Sequence, residues 1–526
     1  MRKLSPHKES TNKRGVRAGY FGLEPPLKDH ATRFEIMPTF YIEQFGCRAT
    51  QADGAALEVQ LLQRGYTRAA KAAADIVVLN TCTVTSAADA QARDAIRKIS
   101  AQNHAARVIV TGCYAQRAPE EVAELPGVAW VVGNSHKPEL PALIESLSIT
   151  SAARDFLPVL SLELSSTALR RAPAQILTGK FERKPLLSSP VFNTEENHTR
   201  PILKIQDGCD SRCAYCVIPQ VRGKSRSLPP EAVRQQVNQL CDSGVKEIVL
   251  SGINIGTYGR DLSPRITFST LLRRILDETP IERLRVSSIE PMDVTTDLIE
   301  FFAANDRMAP HFHMPLQSGT DRILAAMHRW YRAEHYARRA QLIREHLPHA
   351  AIGADVIAGF PGEASEDHST TLAFIEGLPL TYLHVFSFSK RPGTQAAALA
   401  NEVPPGLIKS RARELRALGE KKSAAFRNEQ VGTQLRVLTL RSACGSATHL
   451  ANDESRDRSA QVKEAGPRKE SAYTPALSSN YLRARLPGNW VANQWVNVRV
   501  AAVEGNDLIG EPAESINAEL RVRAFA

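Results

Sequence analysis

The stretch RPILKIQDGCDSRCAYC, residues 200–216, joins a short apolar strand to three closely spaced cysteines, Cys209, Cys213 and Cys216. Spacings of three and two residues let one loop wrap a single metal centre. Thiolate sulfur is a soft ligand that favours Zn, Cu(I) and iron–sulfur clusters. Clusters normally take four cysteines, so three leave one position open, as in catalytic zinc sites. The alternatives are a zinc site completed by a distant histidine and three unrelated buried thiols.

Three further cysteines, Cys47, Cys82 and Cys113, each end an apolar segment: TFYIEQFGC, ADIVVLNTC and ARVIVTGC. Each segment is followed by a helical pattern, which predicts a parallel α/β sheet. The ends of parallel strands share one edge, where α/β folds bind ligands. We therefore expect these cysteines to converge on a second cluster, the alternative being three core thiols. Cys241 and Cys444 are interpreted as structural.

Strand–helix alternation resumes near residue 199 and gives six further strands, which predicts a partial (β/α)6 barrel with its site at the strands' C-terminal ends. A charged helix over 407–429 carries seven basic and three acidic residues. Alternating strands then predict a small β-barrel. The expected organisation is a basic disordered tail (1–37, with Met37 a possible start), an α/β domain (38–147), a linker or insertion (148–198), the barrel with its basic helix (199–429), a small β-barrel (430–512) with a polar insertion (441–471), and a tail (513–526).

The composition indicates a core-forming protein without a membrane anchor. Of 526 residues, 43% are hydrophobic and 23% charged, and the net charge of +10 suits an acidic partner such as nucleic acid. No apolar run approaches the ~18–20 residues that span a bilayer. Eight cysteines are too sparse for a disulfide scaffold, and the N-terminus lacks a secretory h-region. We expect a cytoplasmic protein, and a monomer.

The cysteine motif and several other stretches resemble the methylthiotransferase branch of the radical S-adenosylmethionine (SAM) enzymes. The resemblance covers about 38–147 and 199–512. The chain has Thr50 and Gly54 where the family often has Asn and Ser. The matching stretches, besides 206–227, are NTCTVTSAAD (80–89), TGCYAQ (111–116), GINIGTYGRDL (252–262), SSIEPMD (287–293), HFHMPLQSGTDRILAAMHRWY (311–331) and IGADVIAGFPGE (352–363).

The resemblance implies an enzyme that adds a methylthio group to carbon 2 of N6-threonylcarbamoyladenosine beside the tRNA anticodon. It implies two 4Fe–4S clusters, one on Cys209, Cys213 and Cys216, whose open iron chelates SAM for reductive cleavage. The other, on Cys47, Cys82 and Cys113, holds a sulfur for transfer. A low-potential electron donor such as flavodoxin or ferredoxin and a sulfur source are implied as partners. The C-terminal barrel is similar to a TRAM domain, an RNA-binding module for the anticodon stem-loop.

Three residues are candidates for SAM binding. Gly252 follows a barrel strand and would allow close backbone approach to SAM, although an ordinary turn glycine fits too. Glu290 could accept hydrogen bonds from ribose hydroxyls, or be an exposed carboxylate at a strand end. Gly359 shapes another strand-end turn. His311 and His313 alternate on one strand and are interpreted as core histidines facing the barrel interior.

Other functions remain open at this point. The same chemistry could act on isopentenyladenosine in tRNA or on an aspartate of a ribosomal protein. From a different class, a zinc-stabilised RNA-binding protein without catalysis would also use these cysteines and the basic helix. Iron content distinguishes the zinc-stabilised protein from an iron–sulfur enzyme. Mass spectrometry of tRNA nucleosides and of ribosomal proteins distinguishes the alternative substrates.

Overall fold

The computed structural model describes residues 38–152, 173–181, 199–441 and 473–513. The tails expected at 1–37 and 513–526 lie outside these ranges, apart from residue 513, as do Cys444 and residues 442–472. A six-stranded parallel sheet in the order β2-β1-β3-β4-β5-β6 begins the described part. Its strands are β1 Thr39–Gln44, β2 Thr67–Arg68, β3 Ile76–Thr81, β4 Arg107–Gly112, β5 Val128–Gly133 and β6 Gln175–Leu177.

Helices cover both faces of this sheet, which is why β3, IVVLNT, is buried along its whole length. One apolar core gathers Val77, Leu79 and Ile96 on one face, and a second gathers Phe40 and Val78 on the other. The helices are α1 Arg48–Gln63, α2 Ser86–Gln102, α3 Cys113–Arg117, α4 Pro119–Ala123 and α5 Leu140–Ala152.

The three N-terminal strands predicted from the sequence are β1, β3 and β4, and the parallel α/β class is confirmed. The sequence did not reveal β2, β5 or β6. The short strand β6 falls inside residues 148–198, which were interpreted as a linker or insertion, and it pairs with β5 through Trp130 and Gln175. A strand of three residues is too short to show an alternating pattern.

Six parallel strands form the central part as two sheets, β7-β10-β11 and β12-β13-β14, connected by a bridge between Leu284 and Met308. All six predicted strands are present, so the partial (β/α)6 barrel is confirmed. The strands of this region are β7 Ile202–Lys204, β8 Gln206–Asp207, β9 Arg226–Ser227, β10 Glu247–Ser251, β11 Arg283–Val286, β12 His311–His313, β13 Ala351–Ala358 and β14 Tyr382–Ser387.

The outer helices bury one apolar face against these strands. In α8, residues Leu271, Leu272, Ile275 and Leu276 recur at helical spacing and are buried, and Thr267 caps the helix by accepting from Thr270 N. Among the described residues, no helix is long and apolar enough to cross a membrane. The helices are α6 Ile218–Arg222, α7 Pro230–Asp242, α8 Phe268–Glu278, α9 Thr296–Ala304, α10 Asp321–Ala326, α11 Ala333–His346, α12 Ser365–Gly377 and α13 Pro405–Asn428.

A closed five-stranded barrel in the order β15-β16-β17-β19-β18 follows α13, which confirms the predicted C-terminal β-barrel. The sequence did not reveal β16, because Pro475 argues against a strand. This proline pairs with Arg485 on β17. The strands are β15 Gln434–Thr439, β16 Tyr473–Ser478, β17 Arg483–Pro487, β18 Trp495–Glu504 and β19 Asp507–Pro512.

Candidate cluster sites

The three N-terminal cysteines lie at one edge of the first sheet. Cys47 directly precedes α1, Cys82 directly follows β3, and Cys113 begins α3 directly after β4. Because β1, β3 and β4 are parallel neighbours, their carboxyl ends bring these residues together. Gly46 has φ +95°, and a Cβ there would lie 2.4 Å from Cys82 Cβ, so the close approach of these two loops requires glycine.

The three thiols are close enough to influence one another, and we call them the first triad. Burial raises the pKa of the Cys82 thiol, and the neighbouring Cys47 and Cys113 raise it further. Cys82 and Cys113 are buried and Cys47 is half-buried, and none of the described cysteines forms a disulfide. A bound cation reverses this preference for the neutral thiol, because thiolates are stabilised by metal. The donor set therefore fits a soft metal centre.

Cys209, Cys213 and Cys216, the second triad, lie in the loop between β8 and α6. The loop folds back on itself, with Cys216 N donating to Cys213 O at 3.1 Å and Cys209 N to Gly223 O at 3.1 Å. Burial raises the pKa of the Cys216 thiol to about 12, and Cys213 and Cys209 contribute to the rise. Ser211 N donates to Cys209 Sγ at 3.4 Å. Sulfurs that converge and accept N–H bonds fit an iron–sulfur cluster.

An arginine that the sequence analysis did not single out contacts this triad. Arg329 donates to Cys213 Sγ at 3.2 Å and forms an ion pair with Glu290. Burial raises the pKa of the Glu290 carboxyl, and Arg329 opposes that rise. Glu290 is thus an ion-paired group beside the second triad and not an exposed strand-end carboxylate. The signal for Arg329 was its place inside the matching stretch 311–331.

The structure gives local reasons for both candidate glycines. A Cβ at Gly252 would lie 2.9 Å from Gln206 Oε1, and Gln206 in turn accepts from Asn254 N at 2.8 Å. Gly359 has φ +80°, and a Cβ there would lie 2.4 Å from Ile408 of α13. Contact of either residue with SAM stays a prediction. A polar cavity of about 310 Å³ lies beside the second triad, lined by Asp210, Ser211, Ser225, Asn254, Thr257, Arg260, Asp261 and Trp330.

A buried network of charges joins α1 to the central strands. Asp53 pairs with Lys137 at 2.9 Å, with Arg222 at 3.1 Å and with Lys204. Asp207 pairs with Arg222 at 2.8 Å and with Lys204 at 2.9 Å. Burial alone would raise the pKa of the Asp53 carboxyl, but the three cations hold it well below its usual range. The network therefore holds both carboxylates in their charged forms, whereas burial lowers the pKa of Lys137.

This network connects the two triads. The Arg222 guanidinium lies near the first triad, and the charges of Asp207 and of Cys113, Asp53 and Cys47 raise the pKa of Arg222 against the effect of burial. The Nε atom of Arg222 is buried without a hydrogen-bond partner. Cys113 packs in one apolar cluster with Val217, the residue after Cys216. Asn134 Nδ2 donates to Cys113 Sγ at 3.4 Å and to Val221 O at 2.9 Å. The two triads thus adjoin across a shared set of side chains.

Two of the residues that depart from the family pattern also contact this region. Thr50 Oγ1 lies 3.5 Å from Cys47 Sγ and 3.5 Å from Arg222 Nη2. At Gly54, a Cβ would lie 2.5 Å from the side-chain carbonyl carbon of Gln44, so this amide occupies the space that a serine would need.

The interior of the partial barrel carries histidines, as predicted for His311 and His313. Both are buried, and His311 Nε2 is hydrogen-bonded to Tyr382 Oη at 2.8 Å. His313 Nε2 lies 3.2 Å from Asp355, which also lies 3.3 Å from the half-exposed His384. Burial alone would raise the pKa of the Asp355 carboxyl, but these two imidazoles lower it. Asp355 is therefore a carboxylate that already contacts two imidazoles.

The basic helix is present as α13, but its cations mostly contact the chain itself. Arg411 donates to Glu363 O at 3.0 Å, Arg416 to Val385 O at 3.2 Å and Lys422 to Leu378 O at 2.8 Å. Lys421 pairs with Glu376, and Arg427 is buried. The count of basic residues in the sequence therefore overstates how many face outward. Cys241, interpreted as structural, lies in α7 and packs against the central core.

Comparison with known proteins identifies the family. The profile described as "Uncharacterized protein family UPF0004" matches residues 39–133, and that described as "Radical SAM superfamily" matches residues 203–375. Among solved structures, the radical SAM methyltransferase TsrM from Kitasatospora setae is 14% identical with a TM-score of 0.48, covering 68% of this chain and 76% of its own.

Curated relatives match at higher identity. The threonylcarbamoyladenosine tRNA methylthiotransferase MtaB of Aquifex aeolicus (strain VF5) is 36% identical, covering 76% of this chain and 92% of that protein. The protein of the same name from Bacillus subtilis (strain 168) is 34% identical, covering 76% and 85%. The tRNA-2-methylthio-N(6)-dimethylallyladenosine synthase of Thermobifida fusca (strain YX) is 34% identical, covering 76% and 77%. With such identity over most of each relative, the chain belongs to the radical SAM methylthiotransferase family.

Proposed function

We propose that this protein adds a methylthio group to carbon 2 of N6-threonylcarbamoyladenosine next to the anticodon of tRNA. The observation that carries the proposal is the adjoining pair of cysteine triads, linked by Cys113 and Val217. Methylthiolation needs one centre that opens an unactivated C–H bond and another that supplies sulfur, so two neighbouring thiol sites match the reaction. The Aquifex and Bacillus relatives carry this substrate in their names.

Family membership confirms the expected cofactors, SAM and 4Fe–4S clusters. We assign one cluster to each triad, because all six thiols converge without forming disulfides. Three protein ligands leave one iron of each cluster open, for the amino and carboxylate groups of SAM at the second triad and for a sulfur at the first. When bound, these groups supply the one-electron chemistry that opens the C–H bond and the sulfur that replaces the hydrogen.

The chain's own residues position and shield this chemistry. Arg329, held by Glu290, donates to Cys213 Sγ, and Asn254 Nδ2 lies 3.8 Å from Cys209 Sγ. Donors to cluster sulfurs favour the reduced, more negative form. We propose that Glu290 also accepts from the ribose of SAM, and that Gly252 and Gly359 keep side chains away from the bound molecule.

For tRNA binding, the proposal relies on the C-terminal barrel more than on α13. Strand β18 exposes Arg499, and Arg436 lies over the Trp495 ring at 4.5 Å. Exposed arginines beside an aromatic ring suit phosphate and base contacts. We propose that this TRAM-like barrel binds the anticodon stem-loop while the target base is splayed into the central barrel. The low-potential electron donor and the sulfur source remain predictions.

A second candidate substrate is isopentenyladenosine, which the Thermobifida relative favours through its name and its 34% identity. The test supplies anaerobically reconstituted protein, SAM and reductant with two anticodon stem-loops in competition, one carrying each nucleoside. Mass spectrometry of the digested RNA should find the methylthio group on N6-threonylcarbamoyladenosine. Methylthiolation of the isopentenyl nucleoside alone would reject the proposal in favour of the second candidate.

A further inference from the structure

Arg48 enters the interior of the partial barrel beside the first triad. Arg48 directly follows Cys47 and donates from Nη2 to Tyr481 Oη at 2.8 Å. Its guanidinium carbon lies 5.7 Å from the centre of the Tyr481 ring. Within the described ranges, no carboxylate forms an ion pair with it. A half-buried guanidinium whose protein partner is a neutral phenol retains the capacity to bind an anion.

The surroundings of Tyr481 carry a surplus of positive charge. Arg285 and Arg200 both pair with Glu247, at 2.7 and 3.2 Å, so that two guanidinium groups share one carboxylate and Arg48 adds a third positive charge. Arg285 is fully buried, and its Nη1 has no hydrogen-bond partner. Arg48 lowers the pKa of the Tyr481 phenol, with Arg200 and Arg285 adding to the effect. The local field therefore favours negative charge at this point.

The turn that carries Tyr481 is held in a fixed position against the central barrel. Tyr481 lies between β16 and β17 with φ +70°, a left-handed conformation that is strained for a non-glycine residue and persists where surrounding contacts hold it. Asn480 Nδ2 donates to His349 O at 3.1 Å and anchors the turn. The Tyr481 ring then lies tilted against that of His311, with the ring centres 4.5 Å apart, inside the interior. The phenol is thus a rigid support for the Arg48 guanidinium.

Arg48 also adjoins the first triad, because it directly follows Cys47. Its partner Tyr481 has its ring centre 4.5 Å from that of His311, on the strand that carries both interior histidines. A base that receives sulfur at the first triad must pass within reach of the residue next to Cys47. Another polar group in this interior, Asp355, already contacts His313 and His384.

We propose that Arg48 binds the carboxylate of the threonyl group of the substrate and is thereby a specificity-determining residue, an inference that rests on the proposed function. The guanidinium matches a carboxylate with two parallel N–H bonds, and Tyr481 fixes its orientation. An isopentenyl group offers no anion to this site. Arg48 therefore selects a nucleoside whose N6 substituent ends in a carboxylate.

The test measures binding of the reconstituted full-length protein to three anticodon stem-loops. They are identical except at the target base, which is N6-threonylcarbamoyladenosine, its uncharged threoninamide analogue, or adenosine. The wild type should bind the carboxylate RNA about 10- to 100-fold more tightly than the amide RNA, since hydrogen bonds to a charged group are the strong ones. Arg48→Gln should bind both equally, at the level of the amide RNA.

A variant of an exposed arginine, Arg273→Gln, serves as the matched control and should keep the full preference, because Arg273 pairs with Asp297 at the surface. If Arg48→Gln loses iron, Tyr481→Phe replaces it in the test and should reduce the preference about 2- to 10-fold through one neutral hydrogen bond.

Two results overturn the inference: a wild type without preference for the carboxylate RNA, or an unchanged preference in the tested variant. The proposed function fails separately, when the wild type leaves the threonylcarbamoyl nucleoside without a methylthio group.

Discussion

Replacing Asp53 with Asn should destabilise the contact between the N-terminal sheet and the central barrel. Asp53 is 2% exposed and pairs with Lys137, Lys204 and Arg222. In Asp53→Asn, Lys204 and Arg222 keep Asp207 as a carboxylate partner, whereas Lys137 loses the carboxylate with which it pairs in the described part of the chain. Removing one partner from a buried ion pair leaves an uncompensated charge and costs about 3–5 kcal/mol.

Urea denaturation followed by tryptophan fluorescence measures this loss. With a slope of about 2.5 kcal/mol per M, 3–5 kcal/mol corresponds to a fall in the midpoint of about 1–2 M. Asp297→Asn provides the control, because Asp297 pairs with Arg273 at the surface with both side chains about half exposed, and such pairs are worth at most about 1 kcal/mol.

A double variant separates charge imbalance from lost packing. Lys137 keeps only Asn80 Oδ1, at 3.1 Å, as a polar partner when Asp53 is neutral. Removing the stranded cation in Asp53→Asn with Lys137→Met should therefore recover part of the lost stability. An Asp53→Asn midpoint no lower than that of Asp297→Asn would refute the reasoning, as would a double variant less stable than the sum of the single changes.

Four further results are expected. Gly46→Ala should lose about half of the iron, because its Cβ would lie 2.4 Å from Cys82 Cβ. The control Gly244→Ala should keep its iron, because Gly244 also has a positive φ, +82°, but faces open space. Equal iron content in the two variants would contradict the packing argument. Cys213→Ala should abolish SAM cleavage and retain about half of the iron, and loss of all iron would count against two separate sites. Burial would raise the pKa of Glu247, but Arg285 and Arg200 lower it from 4.5 to about 2. The charged carboxylate should therefore stabilise the fold by about 3 kcal/mol above pH 4.5, and this contribution should disappear towards pH 2. A difference in unfolding free energy between wild type and Glu247→Gln that does not shrink in acid would oppose this. Affinity for tRNA should fall about 50- to 150-fold between ~50 and ~200 mM salt for about four phosphate contacts, and a salt-independent affinity would remove that interface.

Sequence patterns predicted the fold where periodicity was strong. The six central strands and the three strands that end in cysteine were each long enough, or apolar enough, to be recognised. The strands β2, β5, β6 and β16 were not recognised: β2 and β6 contain two and three residues and β16 contains Pro475, whereas the length of β5, six residues, does not explain why it was missed. Short edge strands are defined by their partners, and these partners are distant in the sequence.

The candidate site was predictable only in its sulfur ligands, which recur after strands at recognisable spacings. Arg222 and Arg329 lie inside stretches that match the family, but the residue type gave Arg48, Arg222 and Arg329 no further signal, since an arginine in a loop or at a helix end is ordinarily solvated. Their importance comes from long-range contacts, such as Arg48 with Tyr481 of the C-terminal barrel and Arg222 with Asp53. The basic helix α13 shows the same limit. Its positive charge could be counted in the sequence, but the contacts of its cations with the rest of the chain could not be predicted.

The most direct test of the central claim is nucleoside mass spectrometry of tRNA from cells with and without this protein. Loss of the 2-methylthio form of N6-threonylcarbamoyladenosine, with the unmethylthiolated nucleoside accumulating and the isopentenyl nucleosides unchanged, is the predicted result. A tRNA pool that keeps the methylthio form of N6-threonylcarbamoyladenosine in the absence of the protein would contradict it.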